Sequence, residues 1–288
     1  MDTSNVNTGV GPKIPQELTD KEFRTLSDYI NRNIGIKLPD HKKVMVQSRL
    51  MKRVRELGLD SYASYFEMVF SARGQTDELI HMLDVITTNK TDFFRESVHF
   101  DFLRDQVLPE FQQLNIPGGV KIWSAGCSSG EEPYTIGITM EEYNAANRPL
   151  NYRIIGTDLS TRILKMAKNA VYTEQRVADI PLALKKKYFL KSKDPSRQVV
   201  RVIPALRAKT DFRRLNFMDD HYHMQESFDV VFCRNVLIYF ERHIQEAVIN
   251  KLCRHLKPGG FFFLGHSESI MRMTVPLEQI KPTIFRRT

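Results

Sequence analysis

Long apolar runs are missing from this 288-residue chain. None approaches the roughly 20 residues that cross a bilayer, and the N-terminus lacks a charged-then-apolar signal pattern, so a cytoplasmic protein is expected. Cysteine is scarce as well. Cys127, Cys233 and Cys253 stand far apart, without paired ligand spacing, which excludes a disulfide framework and leaves no metal expected. Acidic residues fall short of basic ones, 34 against 42, but the shortfall is local. Residues 32 to 55 hold eight lysines and arginines against Asp40 alone, and residues 185 to 214 hold eleven against Asp194 and Asp211. These excesses of +7 and +9, set against a total of +8, leave the rest of the chain at −8. Two confined basic surfaces suit acidic partners better than a uniformly basic protein would.

What is present is enough apolar residue, 42%, to fill the cores of two modest domains. Residues 1 to 15 are polar, with glycine and proline, and read as a mobile tail. Thr19-Asp20-Lys21-Glu22 has the form of a capping box, after which Phe23, Leu26, Tyr29, Ile30 and Ile34 recur at helical spacing until Gly35. A second helix is expected from Asp40, as N-cap, to Gly58, with Val46, Leu50, Val54 and Leu57 along one stripe. Lys42, Arg49 and Arg53 line up beside that stripe. They are either a solvated face or a binding surface, and the one-sided charge favours the second. Ser61 to Ser71 and Asp77 to Thr88 suit two more helices, and no strand is expected before Thr88.

Thr88-Asn-Lys-Thr-Asp-Phe-Phe-Arg95 is a polar turn running into two aromatics. Phe93 and Phe94 suit core anchors, while Thr91 and Arg95 offer a hydroxyl and a guanidinium for a carboxylate. A helix follows from Ser97 to Leu114, broken or bent near Pro109. Val120 to Pro133 then reads as a buried strand, a bend of small residues (Gly126, Ser128, Ser129, Gly130) and a helix start. That is where doubly wound α/β proteins hold nucleotide-like ligands. The paired Glu131 and Glu132 at the helix N-terminus would repel a pyrophosphate and tolerate a cationic ligand.

Strand and helix alternate from there. Arg153 to Asp158 is a strand ending in an acid, which either accepts from both hydroxyls of a ribose or caps the next helix. Phe228 to Cys233 is a buried strand, Glu241 to Leu256 a helix stopped by Lys257-Pro-Gly-Gly260, and Phe261 to Leu264 another strand. Ile280 to Arg287 suggests a final edge strand. Residues 185 to 210 break the alternation: Tyr188 to Leu190 and Gln198 to Ile203 form a small antiparallel insertion. Its basic residues either protect an exposed edge or leave it open to a peptide.

Five segments, in order, resemble the chemotaxis receptor methyltransferases of the CheR family. They are Thr88 to Arg95, Trp123 to Tyr134, Gly156-Thr-Asp-Leu-Ser160, Phe228 through Cys233-Arg-Asn-Val-Leu-Ile-Tyr-Phe240, and Leu256-Lys-Pro-Gly-Gly260. The resemblance covers the chain from about residue 16. It implies an all-α domain over 16 to 90. A class I S-adenosylmethionine methyltransferase domain, an α/β doubly wound sheet, follows over 91 to 288 with the β-subdomain inserted near 185 to 210. It also implies S-adenosylmethionine as donor, S-adenosylhomocysteine as product, and receptor glutamates as acceptors; a monomer that neither inserts into the membrane nor binds nucleic acid is the separate expectation. Carried over position by position, it sets the donor against Asn89, Thr91, Arg95, Ala125, Gly126, Glu131, Asp158, Asn216, Phe217, Arg234 and Asn235. Asp158 suits the ribose, Arg95 and Thr91 the methionine carboxylate, Glu131 the cationic end, and Asn216-Phe217 the adenine.

Ser128 departs from the family of Gly-x-Gly-x-Gly turns, and Cys127 beside it reads as packing, not as a nucleophile. Tyr239, with Arg95, is the candidate for shaping methyl transfer, unless it is only core. Lys42, Arg49 and Arg53 are the candidates for receptor binding, and the inserted sheet for a receptor C-terminal peptide. Two alternatives stay open. A nucleic-acid methyltransferase would explain the charge, although amino-methylating enzymes carry Asn/Asp-Pro-Pro-Tyr where this chain has Asn235-Val-Leu-Ile-Tyr239. A non-catalytic donor-binding adaptor would explain the pocket alone.

Overall fold

A computed structural model describes residues 17–71, 78–86, 90–116, 118–194 and 196–288. The expected tail lies outside them. The chain divides into two compact units near residue 88.

The described part of the first unit is helical: Asp20–Ile34, Lys43–Glu56, Tyr62–Phe70 and Glu78–Ile86. The capping box forms as expected, since Thr19 N donates to Glu22 Oε2 at 2.7 Å and Glu22 N to Thr19 Oγ1 at 3.2 Å. Ser61 caps its helix by accepting from Ser64 N at 3.2 Å. Asp40 does not cap. It opens a 3₁₀ turn, Asp40–Lys42, behind Pro39, and Lys42 stands at the N-cap of the helix without a side-chain cap bond. Pro39 fixes the chain in extended geometry at the position where a capping side chain would sit. Val46, Leu50 and Val54 are fully buried, as the stripe requires.

Among the described residues of the second unit, ten strands build two sheets. They are β1 (Val120–Ala125), β2 (Tyr152–Asp158), β3 (Val171–Thr173), β4 (Phe189–Lys191), β5 (Val199–Val202), β6 (Thr210–Arg214), β7 (Phe228–Cys233), β8 (Leu256–Leu264), β9 (Leu277–Lys281) and β10 (Ile284–Arg287). The larger sheet has the order β6-β2-β1-β7-β8-β10-β9. Its first five strands are parallel and β10 is antiparallel to both neighbours. Pleating sends Trp123, Val231 and Phe262 to one core and Ile122, Phe232 and Phe263 to the other. Phe232 and Phe263 stack at 4.4 Å between centroids. This is the class I methyltransferase fold. The strand order reverses between β1 and β7, which places a crevice beyond their C-terminal ends.

Four expectations change. The final edge strand is a hairpin, β9 and β10, because Pro282 and Thr283, with Thr283 at φ +61°, turn the chain back and put β10 inside the sheet. The helix from Val98 to Leu114 continues through Pro109 by opening to π geometry over Leu103–Val107, which relieves the ring's clash with the preceding turn. The helix Arg242–His255 ends before Lys257 as expected, but the strand starts earlier than Phe261, because Lys257 to Gly260 bulges within β8: Phe228 pairs with Leu256, and Val230 next pairs with Phe261. The small antiparallel sheet has order β3-β5-β4, so it recruits Val171–Thr173 from before the basic interval.

Candidate functional site

Four strand ends supply the site. β1 runs out at Ala125, and Gly126 turns with φ +83° because a Cβ there would meet Val236 Cγ2 at 2.5 Å. Gly126 N and Cys127 N both donate to Thr157 O of β2, at 2.8 and 2.9 Å, so the bend is stitched to its neighbour. Ser128, in place of a glycine, adopts φ +49°. Its backbone N–H donates to Asp158 Oδ2 at 2.9 Å, which holds a conformation that costs a non-glycine residue about 1 kcal/mol.

Asp158, at the end of β2, also accepts from Ser160 N at 3.1 Å. It is half-buried and leaves the helix cap to Ser160, whose Oγ accepts from Ile163 N. Of the two readings for Asp158, capping is therefore excluded. From β6, Leu215 N donates to Asp158 O at 3.0 Å, which brings Asn216 and Phe217 directly beyond the acid. Asn216 Oδ1 accepts from Met218 N at 3.0 Å, and the Phe217 ring lies 6.1 Å from Phe240. Cys127 is buried, and burial, followed by the charge of Asp158, pushes its thiol well up. It packs, as expected.

The glutamate pair does not act as a pair. Glu131 is fully buried, accepts from Ser129 Oγ at 2.7 Å, and meets Arg176 Nη1 at 3.2 Å. Arg176 also donates to Thr91 O at 2.7 Å, which ties the linker to the helix start. Glu132 turns the other way, accepting from Ser124 Oγ at 2.7 Å and from Arg234 Nη1 at 3.1 Å. Burial pushes both carboxyls up, against the hydrogen bonds and cations that draw them down.

Arg234 and Asn235 leave β7 together. The Arg234 side chain is 2% exposed and bridges Glu132 to Glu96 Oε2, 2.9 Å away. Asn235, at φ +57°, donates from Nδ2 to Glu96 Oε1 at 3.0 Å. Burial raises the Glu96 carboxyl, but the Asn235 and Arg234 hydrogen bonds outweigh it and bring the group down to about 2. Both Nη atoms of the Arg234 guanidinium are thus taken up by protein partners, while its buried Nε has no hydrogen-bond partner among the described residues. Among the described residues Glu96, His99 and His266 bring ligand atoms within 4.8 Å of one another. Arg234 already supplies the positive charge there, and burial followed by that charge pushes the His99 imidazole down to about 3.

Thr91 is buried, Arg95 is half-buried with Nη1 on Lys90 O at 2.9 Å, and Asn89 lies outside the described residues. Phe93 is an anchor, edge-on to Tyr172 and Phe189 at 5.0 and 5.4 Å. Tyr239 sits on a 3₁₀ turn, Leu237–Tyr239, and is half-exposed, so it is not simply core. The structure therefore gathers Ala125, Gly126, Asp158, Asn216, Phe217, Arg234 and Asn235 around the ends of β1, β2, β6 and β7. In the first unit, Arg49 Nη1 donates to Ile86 O at 2.7 Å, and Arg53 forks onto Glu78 at 2.9 and 2.6 Å. Those two cations of the basic stripe have internal partners, and Lys42 is half-buried.

Sequence reasoning missed Glu96 and Arg176. Glu96 adjoins the Phe-Phe-Arg motif and could have been included with it. Arg176, on a turn after β3, carries no signal. The donor group fits these residues: a glycine whose Cβ would fill the bend, an acid presented at a strand end, and an amide and ring beyond it.

Residues 21–87 match the family model described as CheR methyltransferase, all-alpha domain, and residues 89–285 the one described as CheR methyltransferase, SAM binding domain. The chain is 38% identical over 275 residues to the chemotaxis protein methyltransferase of Borreliella burgdorferi, covering 94% of this chain and 95% of that protein. It is 34% identical over 267 residues to chemotaxis protein methyltransferase 2 of Pseudomonas aeruginosa, covering 93% of each. It is 34% identical over 256 residues to the chemotaxis protein methyltransferase of Escherichia coli, covering 89% and 87%.

Proposed function

The chain belongs to the CheR methyltransferase family, and from that premise we propose that it methylates glutamate side chains of bacterial chemoreceptors, forming glutamyl methyl esters in the cytoplasm. The observation that carries this reading is the cluster of side chains that converges at the ends of β1, β2, β6 and β7. It presents Asp158 and Asn216-Phe217 for a nucleoside, with Arg95 and Thr91 on the adjoining linker for an amino-acid carboxylate. Bound there, S-adenosylmethionine supplies an electrophilic methyl on a sulfonium.

The protein's own work is positional. Asp158 orients the ribose hydroxyls, Arg95 and Thr91 hold the carboxylate end, and Glu131, balanced by Arg176, faces the ammonium end. A glutamate acceptor with a pKa of about 4.3 is ionised at neutral pH, so no general base is needed. A carboxylate oxygen forms a bond to the methyl carbon as the carbon–sulfur bond breaks, and the sulfur keeps the electron pair. Alignment and exclusion of water are then the tasks left, with Tyr239 bordering the transfer path. The turn after β7 lacks the Asn/Asp-Pro-Pro-Tyr signature of amino-group methylation, which weighs against a nucleic-acid substrate. On the helical unit, Lys42 with its basic neighbours suits the acidic receptor helices, and the three-stranded sheet suits a C-terminal receptor peptide.

The test is to incubate the full chain with methyl-labelled S-adenosylmethionine and membranes carrying chemoreceptors. Methanol released from the receptor band by alkali is expected. Label that survives alkali, or that enters nucleic acid, would overturn the reading.

A further inference from the structure

Glu268 belongs to none of the motifs above, yet it is 8% exposed and completely engaged. It follows β8, in the turn closed by Glu268 N on Gly265 O at 3.0 Å. Its Oε2 accepts from Asn235 N at 2.9 Å and Gly265 N at 2.7 Å, and its Oε1 from Val236 N at 2.9 Å and Leu237 N at 2.7 Å. Four N–H groups on two oxygens use every acceptor site a carboxylate has. Three of the donors are consecutive residues of the segment leaving β7, a run of amides of the kind that suits an anion. From its side-chain end Asn235 is held again, by Glu96 Oε1 at 3.0 Å. The left-handed turn at Asn235, φ +57°, is thus fixed by one acid on its backbone and another on its amide. Its position sets Val236, which closes on Gly126, and the turn that ends in Tyr239.

We propose that Glu268 is a positioning residue for methyl transfer: its carboxylate shapes the Arg234–Tyr239 segment so that Asn235 meets the donor and Tyr239 borders the transfer path. This rests on the donor site and acceptor proposed above. Glu268 touches neither reactant. It acts through the backbone that presents the groups that do.

The test compares the full chain with Glu268→Gln, which keeps the shape but turns an N–H₂ group toward N–H donors, and with Glu268→Asp, which keeps the charge one methylene short. Asp229→Asn serves as control: Asp229 is 4% exposed and accepts from Lys121 N at 2.8 Å and Lys257 Nζ at 2.7 Å, away from the crevice. S-adenosylhomocysteine affinity by titration calorimetry, kcat and KM for receptor methylation, and the thermal midpoint are measured on each. Glu268→Gln should weaken S-adenosylhomocysteine binding and lower kcat, each by about tenfold or more, since misplacement by about 1 Å carries costs of that order. Glu268→Asp should recover part of both, and Asp229→Asn should lower the midpoint while leaving affinity and kcat at wild-type values. Wild-type affinity and kcat in folded Glu268→Gln would overturn the proposal. If Glu268→Gln does not fold, Glu268→Asp decides: weakened S-adenosylhomocysteine binding supports the proposal and unchanged binding overturns it. A wild-type chain that binds S-adenosylhomocysteine yet forms no methyl ester would overturn the acceptor reading, and the calorimetric arm would still judge Glu268.

Discussion

Replacing Arg234 by methionine should cost the second unit about 3–5 kcal/mol, the range for removing one partner of a buried ion pair. The site justifies that range: Arg234 is 2% exposed, and its guanidinium faces Glu132 at 3.1 Å and Glu96 at 2.9 Å, both of them largely buried. Methionine fills most of the volume, so the loss is electrostatic. It should also depend on pH. Burial already pushes the Glu132 carboxyl up with the arginine present, and without that cation it rises further. A folded-state pKa above the unfolded one means that the folded state takes up protons as pH falls, so the deficit should shrink from pH 8 toward pH 5. Adding Glu132→Gln should return at least about 1 kcal/mol, because the residues act as one network. Urea unfolding followed by Trp123, the chain's single, fully buried tryptophan, reports on this unit alone. A loss under about 1 kcal/mol that is the same at both pH values, with no gain in the double variant, would refute the reasoning.

The proposed receptor surface is tested better at Lys42 than at Arg53. Arg53→Glu would set a carboxylate beside Glu78 and Glu56 and should lower the stability of the helical unit, seen as a lower thermal midpoint. Lys42→Glu should instead reduce receptor methylation severalfold with unchanged calorimetric donor affinity, and equal loss of both would reject the surface. His99, held down to about 3, and Glu96, near 2, both have depressed folded values, so their stability is present above about 6.5 and 4.5 and is lost as pH falls. Urea titrations should show wild-type stability falling below pH 6.5, and His99→Gln should shrink that first limb to the part that His255, also held down by burial, contributes. Gly126→Ala, at φ +83° and 2.5 Å from Val236, should cost about 1–3 kcal/mol and at least tenfold in donor affinity. Gly58→Ala, also at positive φ but in open space, should leave donor affinity untouched, which denaturation and calorimetry together would show.

How much of the fold was legible follows from what each residue depends on. The capping box at Thr19 and the strands β1, β2 and β7 depend on local spacing and continuous burial, and all of them form where those signals stand. The signals that misled were punctuation. Pro39 displaced the cap expected of Asp40, Pro109 was absorbed by π geometry, and Lys257-Pro-Gly-Gly260 was absorbed as a bulge. Proline and glycine announce a change of backbone geometry, and whether the element ends there is decided by what it pairs with. Phe228 and Val230 across the sheet keep β8 going. Val171–Thr173 is too short to register as a strand by itself and exists because Val199–Val202 pairs with it.

The site was legible to the extent that its residues act alone. Asp158 at a strand end and Gly126 at a bend each carry meaning in isolation, and the structure puts both beside the crevice. Charged residues that act in pairs were not legible, because a sequence shows the charge and not its partner. Glu131 and Glu132 looked like one acidic feature, yet one is balanced by Arg176 and the other by Arg234, residues 45 and 102 positions away. The same blindness made Arg53 look like surface charge while it is spent on Glu78. A net-charge argument counts such residues as available, so the +7 of residues 32 to 55 overstates what a partner meets. In the second unit the consequence runs the other way. Because Glu132 and Glu96 hold Arg234, and Glu268 accepts from the amides after it, the segment beyond β7 is fixed by protein partners at both its side chains and its backbone. Such fixing suits the glutamate methylation proposed above, in which no general base is needed and alignment is the main contribution left to the protein.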